Sequence, residues 1–238
     1  MGFKEKISNV MTQDDMMNLL DTCYQKALDG VEKVSPSIES MASGYLDKNP
    51  EPSKAAKAMI KTQIVKCTTS GFISGLGGAI AMPVAIPANI GSVIYVQMRM
   101  IACTAYMAGY DLESDEVQTL VYACLAGVAV SELVKKTTIK VGEKVATGMI
   151  KKIPGAVLTK INQKVGFRLV TKFGQKGAVN LGKMVPGVGA VIGGGLDFAG
   201  TKIIGDRAYK WFFEGDFSVK EDKEDNEIID ALDFEETE

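Results

Sequence analysis

The longest uncharged run in the sequence is the feature that most limits how this chain can fold. Residues 67–98 contain no charged side chain, but five glycines and two prolines interrupt them. A single straight helix is excluded because Pro83 and Pro87 each remove a backbone donor and clash with the preceding helical turn. We therefore expect two helices that meet at "MPVAIP", the second continuing to a C-cap at Gly109.

Two placements of residues 67–98 are consistent with this composition. An unbroken helix would be about 48 Å long, whereas the first half alone would reach only about 24 Å of the roughly 30 Å hydrocarbon layer. Each helical glycine costs about 1 kcal/mol relative to alanine, which implies compensating contact with a second helix. We favour a buried or interfacial helical hairpin, and insertion into lipid stays open.

Small residues recur four positions apart in both glycine-rich segments of the chain. Such pairs let two helix backbones approach closely, so we predict that they are helix-packing positions. The same glycines fit a nucleotide-binding loop poorly, because the required spacing must be loosened and no strand precedes them. The predicted packing residues are Gly71 with Gly75, Ser74 with Gly78, and Gly189 with Gly193.

Charge is divided unevenly along the chain. Residues 133–183 hold eleven lysines and one arginine against one glutamate, whereas residues 221–238 hold ten acids and one lysine. A block of like charge with few apolar residues is typical of a solvated, disordered segment. We therefore predict an acidic, disordered tail and a basic contact surface within the preceding region.

The basic region contains two stripes that follow one helix. Apolar residues recur every four positions, and cations recur one position before them. A solvated helix face, a nucleic-acid site and an anionic bilayer surface would each use such cations, and no nucleic-acid module is evident. We favour the bilayer because each lysine near such a surface contributes about 1 kcal/mol and the adjoining apolar stripe can enter the headgroup region. The apolar stripe is Val157, Ile161, Val165, Leu169 and Phe173, and the cations are Lys160, Lys164, Arg168, Lys172 and Lys176. Trp211 either anchors at the same interface or belongs to the core.

Composition excludes much catalytic chemistry. The chain has no histidine, so it cannot contain a Ser-His-Asp unit or a Cys/His zinc site. Its four cysteines lie far apart, and we expect neither a metal site nor a cofactor. A hydrolase that uses Ser74 or Ser92 with a lysine base lacks any supporting motif. Arg99, Asp197 and Arg207 are expected to form buried ion pairs instead.

The remaining pattern is helical. Residues 12–47 read as amphipathic helices interrupted at Gly30 or "SPS", and Ser53 is a candidate cap after the "DKNPEPSK" turn. Asp111 or Ser114 is expected to cap an apolar central helix through "VQTLVYACLAGVAVSELVKK". No strand alternation of useful length appears. The predicted fold is therefore all-α.

Two segments resemble the bacterial EcsC family in order along the chain. They are "ISGLGGAIAMPVAIPANIGSVIYVQMRMIACTAYMAGYDLESDEV" and "VPGVGAVIGGGLDFAGTKIIGDRAYKWFF", and the resemblance covers about residues 65–215. One departure is "MAGYD", where the family has an aromatic residue before the glycine. The resemblance implies a bacterial, membrane-proximal setting alongside an ABC transporter operon, and it supplies no catalytic residues.

Together these features predict one helical domain with glycine- and proline-rich apolar hairpins at its centre. We divide it into N-terminal amphipathic helices (1–50), an EcsC-like region (51–215) and the acidic tail (216–238). The predicted function is non-enzymatic docking on the cytoplasmic face of an anionic plasma membrane, with a membrane protein as a further partner and no nucleic acid. The alternatives are a soluble protein that binds lipid or another hydrophobic ligand and, last, an unrecognised hydrolase.

Overall fold

The structure is a computed structural model, and it describes residues 12–67, 88–131, 153–173 and 200–219. These ranges are mainly helical and contain no β-strand, only an isolated bridge between Val31 and Ser35. The prediction of an all-α domain is therefore confirmed for the part of the chain that is described. The helices are α1 (Gln13–Asp29), α2 (Ile38–Leu46), α3 (Pro52–Cys67), α4 (Ala88–Met107), α5 (Asp115–Ala126), α6 (Gly155–Phe173) and α7 (residues 200–209), which continues into a π-helical turn, Lys210–Glu214.

Local side-chain chemistry sets most of the helix starts. The Thr12 hydroxyl accepts a hydrogen bond from the Asp15 amide, and the Asp15 carboxylate accepts one from the Thr12 amide, which is a complete capping box at α1. The hydroxyl oxygens of Ser37 and Ser114 cap α2 and α5 by accepting hydrogen bonds from the Ser40 and Val117 amides. The predicted break at Gly30 is also present, where the backbone φ is +85°. The sequence therefore predicted the break at Gly30 and named Ser114 as one of two cap candidates for α5, but it did not single out Thr12 or Ser37 as caps.

Two boundaries differ from the prediction. Helix α3 begins at Pro52, so Ser53 lies inside the first turn and donates to the Glu51 carboxylate rather than capping. Proline suits this position because the first helical amide has no intrahelical acceptor. Helix α5 stops at Ala126, since Gly127 adopts a left-handed conformation with φ +77°. The apolar run that we expected to continue as one helix is thus broken by this glycine.

Helix α4 is the centre of the molecule. It contacts α1, α2, α3, α5 and the π-helical turn. Five successive residues, 94 to 98, are all buried, so every side of the helix faces protein. The second half of the uncharged run therefore lies in the protein core, as the hairpin interpretation predicts. None of the helices in the described ranges combines the length and the mean hydropathy that a membrane crossing requires.

A close helix contact involves a glycine of α7. A Cβ atom added at Gly205 would lie 2.7 Å from Ile60 Cγ2 on α3 and 3.3 Å from Met100 Sδ on α4. Only a residue without a side chain fits this space, because real Cβ atoms do not approach carbon so closely. Gly205 is therefore a helix-packing glycine of the kind predicted, although it was not among the glycines that we singled out.

Several sequence predictions fall on residues outside the described ranges. They include the "MPVAIP" junction, the acidic tail beyond residue 219 and some individual residues. These residues are Gly71, Ser74, Gly75, Gly78, Lys176, Gly189, Gly193 and Asp197.

Candidate functional site

The predicted cationic residues form one side of α6. Lys160 and Lys172 are exposed, and Lys164 and Arg168 are half-buried. The Lys172 ammonium lies 5.3 Å from the centroid of the Phe173 ring. No acidic residue occurs between Gly155 and Phe173, so all four charged side chains of this helix are cationic. We call these four residues the α6 cationic face.

The apolar stripe of α6 points into the core. Ile161, Val165 and Leu169 are buried, and the helix packs against α1 and α5. Gly166 faces α1, where an added Cβ atom would make ordinary 3.6 Å contacts with Met17. We expected this stripe to be available to a headgroup layer, but in the folded domain it is already occupied by protein. Only Val157 and Phe173, at the two ends of the stripe, are half-buried and not fully enclosed.

Trp211 takes the core position, one of its two predicted alternatives. Its side chain is 0% exposed, and its indole Nε1 donates to the Ser218 carbonyl at 3.2 Å. The Phe217 ring packs 5.5 Å from the Trp211 ring, centroid to centroid. The described chain thus remains packed against the domain up to residues 217–218, past the predicted boundary at 216.

Arg99 is a buried cation with neutral partners. It is 3% exposed, and its Nη1 donates to the Ala27 carbonyl at 3.2 Å and to the Tyr95 hydroxyl at 3.4 Å. Its Nη2 lies 3.1 Å from the Met41 sulfur. Among the described residues, no carboxylate forms the ion pair that we expected for Arg99. Sequence reasoning missed this arrangement because all but one of the partners come from distant helices.

Arg207 is held in a comparable way by the backbone. Its Nη1 donates to the Cys124 carbonyl at 2.7 Å, near the C-terminal end of α5. A Cβ atom at Gly127 would lie only 3.0 Å from that guanidinium. Cations at the C-terminus of a helix are stabilised by the helix dipole. Arg207 therefore links α7 to the end of α5.

A groove of about 710 Å³ is lined by residues of both α3 and α7. Its apolar floor includes Ile60, Ile64 and Val65, and the Val65 side chain is 55% exposed. Tyr209 closes one side, with the Lys57 ammonium 4.5 Å above its ring centroid. The lysines along the groove are Lys57, Lys61, Lys202 and Lys210, and its acidic residues are Asp206 and Glu214. We call this feature the α3–α7 groove.

The cysteine thiols and the candidate nucleophile Ser92 are buried. Burial raises the pKa values of the Cys23, Cys103 and Cys124 thiols to about 12, so these groups stay protonated near neutral pH. Ser92 is fully buried within α4. The described residues also contain no group of three cysteine or carboxylate side chains that could bind a metal ion.

Comparison with known proteins identifies one relationship. The model of the EcsC protein family matches residues 4–212. This match begins well before the segment in which the sequence resemblance was recognised, and it includes α1 and α2. No curated protein and no solved structure matches the chain.

Proposed function

The chain belongs to the EcsC protein family, and on that premise we propose that it docks reversibly on the cytoplasmic face of an anionic membrane, without catalysing a reaction. The observation that carries this proposal is the α6 cationic face. Its four cations lie on a helix whose neighbouring apolar stripe is fixed in the core. A membrane protein such as a transporter is a further partner that we propose at the same surface.

The energetics of the α6 cationic face favour weak, reversible attachment. A lysine or arginine near an anionic leaflet contributes about 1 kcal/mol, so four contribute about 4 kcal/mol, or roughly a thousandfold in partitioning. Because Ile161, Val165 and Leu169 are buried, the central part of the apolar stripe adds no acyl-chain insertion to this value. The attraction acts over about 10 Å at 0.1 M salt and over about 3 Å at 1 M. Binding should therefore be strong at low salt and disappear at high salt.

Vesicle flotation tests this proposal. The full chain is mixed with neutral vesicles or with vesicles that contain phosphatidylglycerol, at 0.05 M and at 0.5 M salt. We expect recovery with anionic vesicles at low salt alone. Changing Lys160, Lys164, Arg168 and Lys172 to glutamine should abolish it, whereas the same change at Lys26, Lys33, Lys54 and Lys202 should leave most of it.

The control variant removes the same charge from exposed lysines elsewhere on the domain, several of which already lie near a carboxylate. Because Lys164 and Arg168 are half-buried, a Lys160→Gln/Lys172→Gln variant provides a second test that changes exposed residues alone. Equal recovery with neutral and anionic vesicles, or equal losses in the two quadruple variants, would refute docking through α6.

The α3–α7 groove supports a second candidate function, the binding of a hydrophobic ligand. Its volume lies within the usual range of small-molecule sites, and an apolar floor edged by lysines suits a lipid with an acidic headgroup. Native mass spectrometry of protein purified without detergent should then detect a copurified lipid. Val65→Glu, at an exposed floor position, should reduce that population. A ligand-free spectrum of the native chain would exclude this candidate.

A further inference from the structure

A second cleft, of about 440 Å³, lies where α2, α3, α4 and the α1–α2 loop converge. Arg99 lines it from α4, Lys48 from the turn that follows α2, and Lys66 from the end of α3. Ser35 and Ser40 also line it, and none of its lining residues is acidic. Three cations therefore converge on one cleft from three separate parts of the fold.

Hydrogen bonding in the described part of the chain leaves donors of Arg99 unused. A guanidinium has five N–H groups. The two on Nη1 are taken by the Ala27 carbonyl and the Tyr95 hydroxyl, while Nη2 meets the Met41 thioether, a weak acceptor. Among the described residues, nothing accepts a hydrogen bond from Nε. A fork of N–H donors on Arg99 therefore remains available to a ligand in the cleft.

The Tyr95 hydroxyl fixes the orientation of Arg99. It donates to the Lys26 carbonyl at 3.2 Å, so its single proton is used. Ser35 Oγ, 2.7 Å away, must then be the donor to Tyr95, which also accepts from Arg99. Both lone pairs of the Tyr95 oxygen are occupied, and the guanidinium is positioned before any ligand arrives.

We propose that this cleft binds the phosphate of a phosphomonoester. A buried cation without a carboxylate partner is costly to maintain, and an anion in the cleft would compensate it. The guanidinium fork matches two phosphate oxygens, and lysines suit phosphate as point charges. A phosphomonoester carries between one and a half and two negative charges near pH 7. The cleft volume exceeds that of a phosphate group and admits the small organic portion attached to it.

The phosphate has two sources that present the same chemistry, a soluble metabolite or the headgroup of a lipid such as phosphatidic acid. Titration calorimetry with glycerol 3-phosphate tests the first, with glycerol and with sodium chloride of equal ionic strength as controls. Vesicles containing phosphatidic acid, matched in surface charge to phosphatidylglycerol vesicles, test the second. Saturable binding of glycerol 3-phosphate above the controls, or stronger binding to phosphatidic acid vesicles than to the matched phosphatidylglycerol vesicles, supports the site and identifies the source.

Variants of the two exposed lysines test the location. Lys48→Gln and Lys66→Gln should each weaken binding about threefold, and the double variant about tenfold, as expected for single solvent-exposed charge contacts. Lys33→Gln and Lys54→Gln, outside the cleft, are the matched controls. Arg99→Lys keeps the charge but loses the fork, so it should weaken binding by at least about tenfold.

The lysine variants keep the test valid if Arg99→Lys fails to fold. Absence of saturable binding above the salt control, or equal binding by the Lys48→Gln/Lys66→Gln protein and the controls, would overturn the proposal. The site does not depend on the α6 cationic face. The α6 quadruple variant should therefore still bind glycerol 3-phosphate, whatever its behaviour with vesicles.

Discussion

Close helix packing at Gly205 can be tested by adding one methyl group. In Gly205→Ala the new Cβ atom would lie 2.7 Å from Ile60 Cγ2 and 3.3 Å from Met100 Sδ. Overpacking of a core typically costs about 2 kcal/mol, and the higher helix propensity of alanine returns about 1 kcal/mol. We therefore expect the free energy of unfolding to fall by about 1 kcal/mol.

Two other helical glycines provide matched controls. Gly44, on α2, has no atom within 4 Å of an added Cβ, and Gly166, on α6, has only ordinary contacts with Met17 and Gln13. Alanine at either position should raise the free energy of unfolding by up to about 1 kcal/mol. Gly44→Ala and Gly205→Ala should thus differ by about 2 kcal/mol, or roughly thirtyfold in the unfolding equilibrium.

Urea unfolding followed by circular dichroism measures these differences, provided that the m-value is unchanged. A double-mutant cycle isolates the contact, because Ile60→Ala removes the methyl group that Gly205→Ala meets. In the Ile60→Ala protein, Gly205→Ala should become stabilising. If Gly205→Ala stabilises the native sequence as much as Gly44→Ala does, the explanation of this glycine by close packing is wrong.

Three further predictions concern the core. Gly127→Ala should lower the free energy of unfolding by about 2 kcal/mol, because Gly127 has a left-handed backbone and lies close to the Arg207 guanidinium. Gly109→Ala should lower it by less, because φ is +85° there but no atom lies within 4 Å of an added Cβ, and urea titration of both variants measures the difference. In the same assay, Tyr95→Phe should lower the free energy of unfolding by about 2 kcal/mol, because it leaves buried hydrogen-bonding groups without their partner. A decrease below about 0.5 kcal/mol, which is typical of a surface substitution, would contradict the described network. A thiol reagent at pH 8 should leave at least three of the four thiols of the folded protein unmodified but should react with all four once urea is added, since burial raises the pKa of three thiols to about 12 and lowers their thiolate fraction about a thousandfold; rapid modification of two or more thiols in the native chain would refute it. These thiols belong to Cys23, Cys103 and Cys124.

Helix boundaries were predictable where a single side chain determines them. Ser114 has a hydroxyl that can accept an amide hydrogen bond, and Gly109 can adopt a positive φ, so both could be assigned from neighbouring residues. The end of α5 was missed because the apolar pattern continues past Gly127, and the pattern does not reveal where one glycine changes the backbone direction. Pro52 was treated as a helix breaker although the first turn tolerates proline.

The candidate sites were only partly predictable. The α6 cationic face follows from a repeat within one helix, so periodicity was sufficient to identify Lys160, Lys164, Arg168 and Lys172. Periodicity could not tell whether the adjoining apolar stripe meets lipid or protein, because both environments select the same side chains. The Arg99 cleft requires three helices to meet, and no local spacing records that meeting.

The aromatic end of α7 gives this protein a built-in optical probe. Trp211 is the only tryptophan in the sequence, and its fully buried indole donates to a carbonyl seven residues further along the chain. Its fluorescence emission therefore reports the environment of this one corner of the domain. A vesicle-bound molecule that keeps its native packing should retain the emission maximum of the free protein, whereas release of the helix into a headgroup layer would shift it. The same recording can separate loss of this corner from global unfolding.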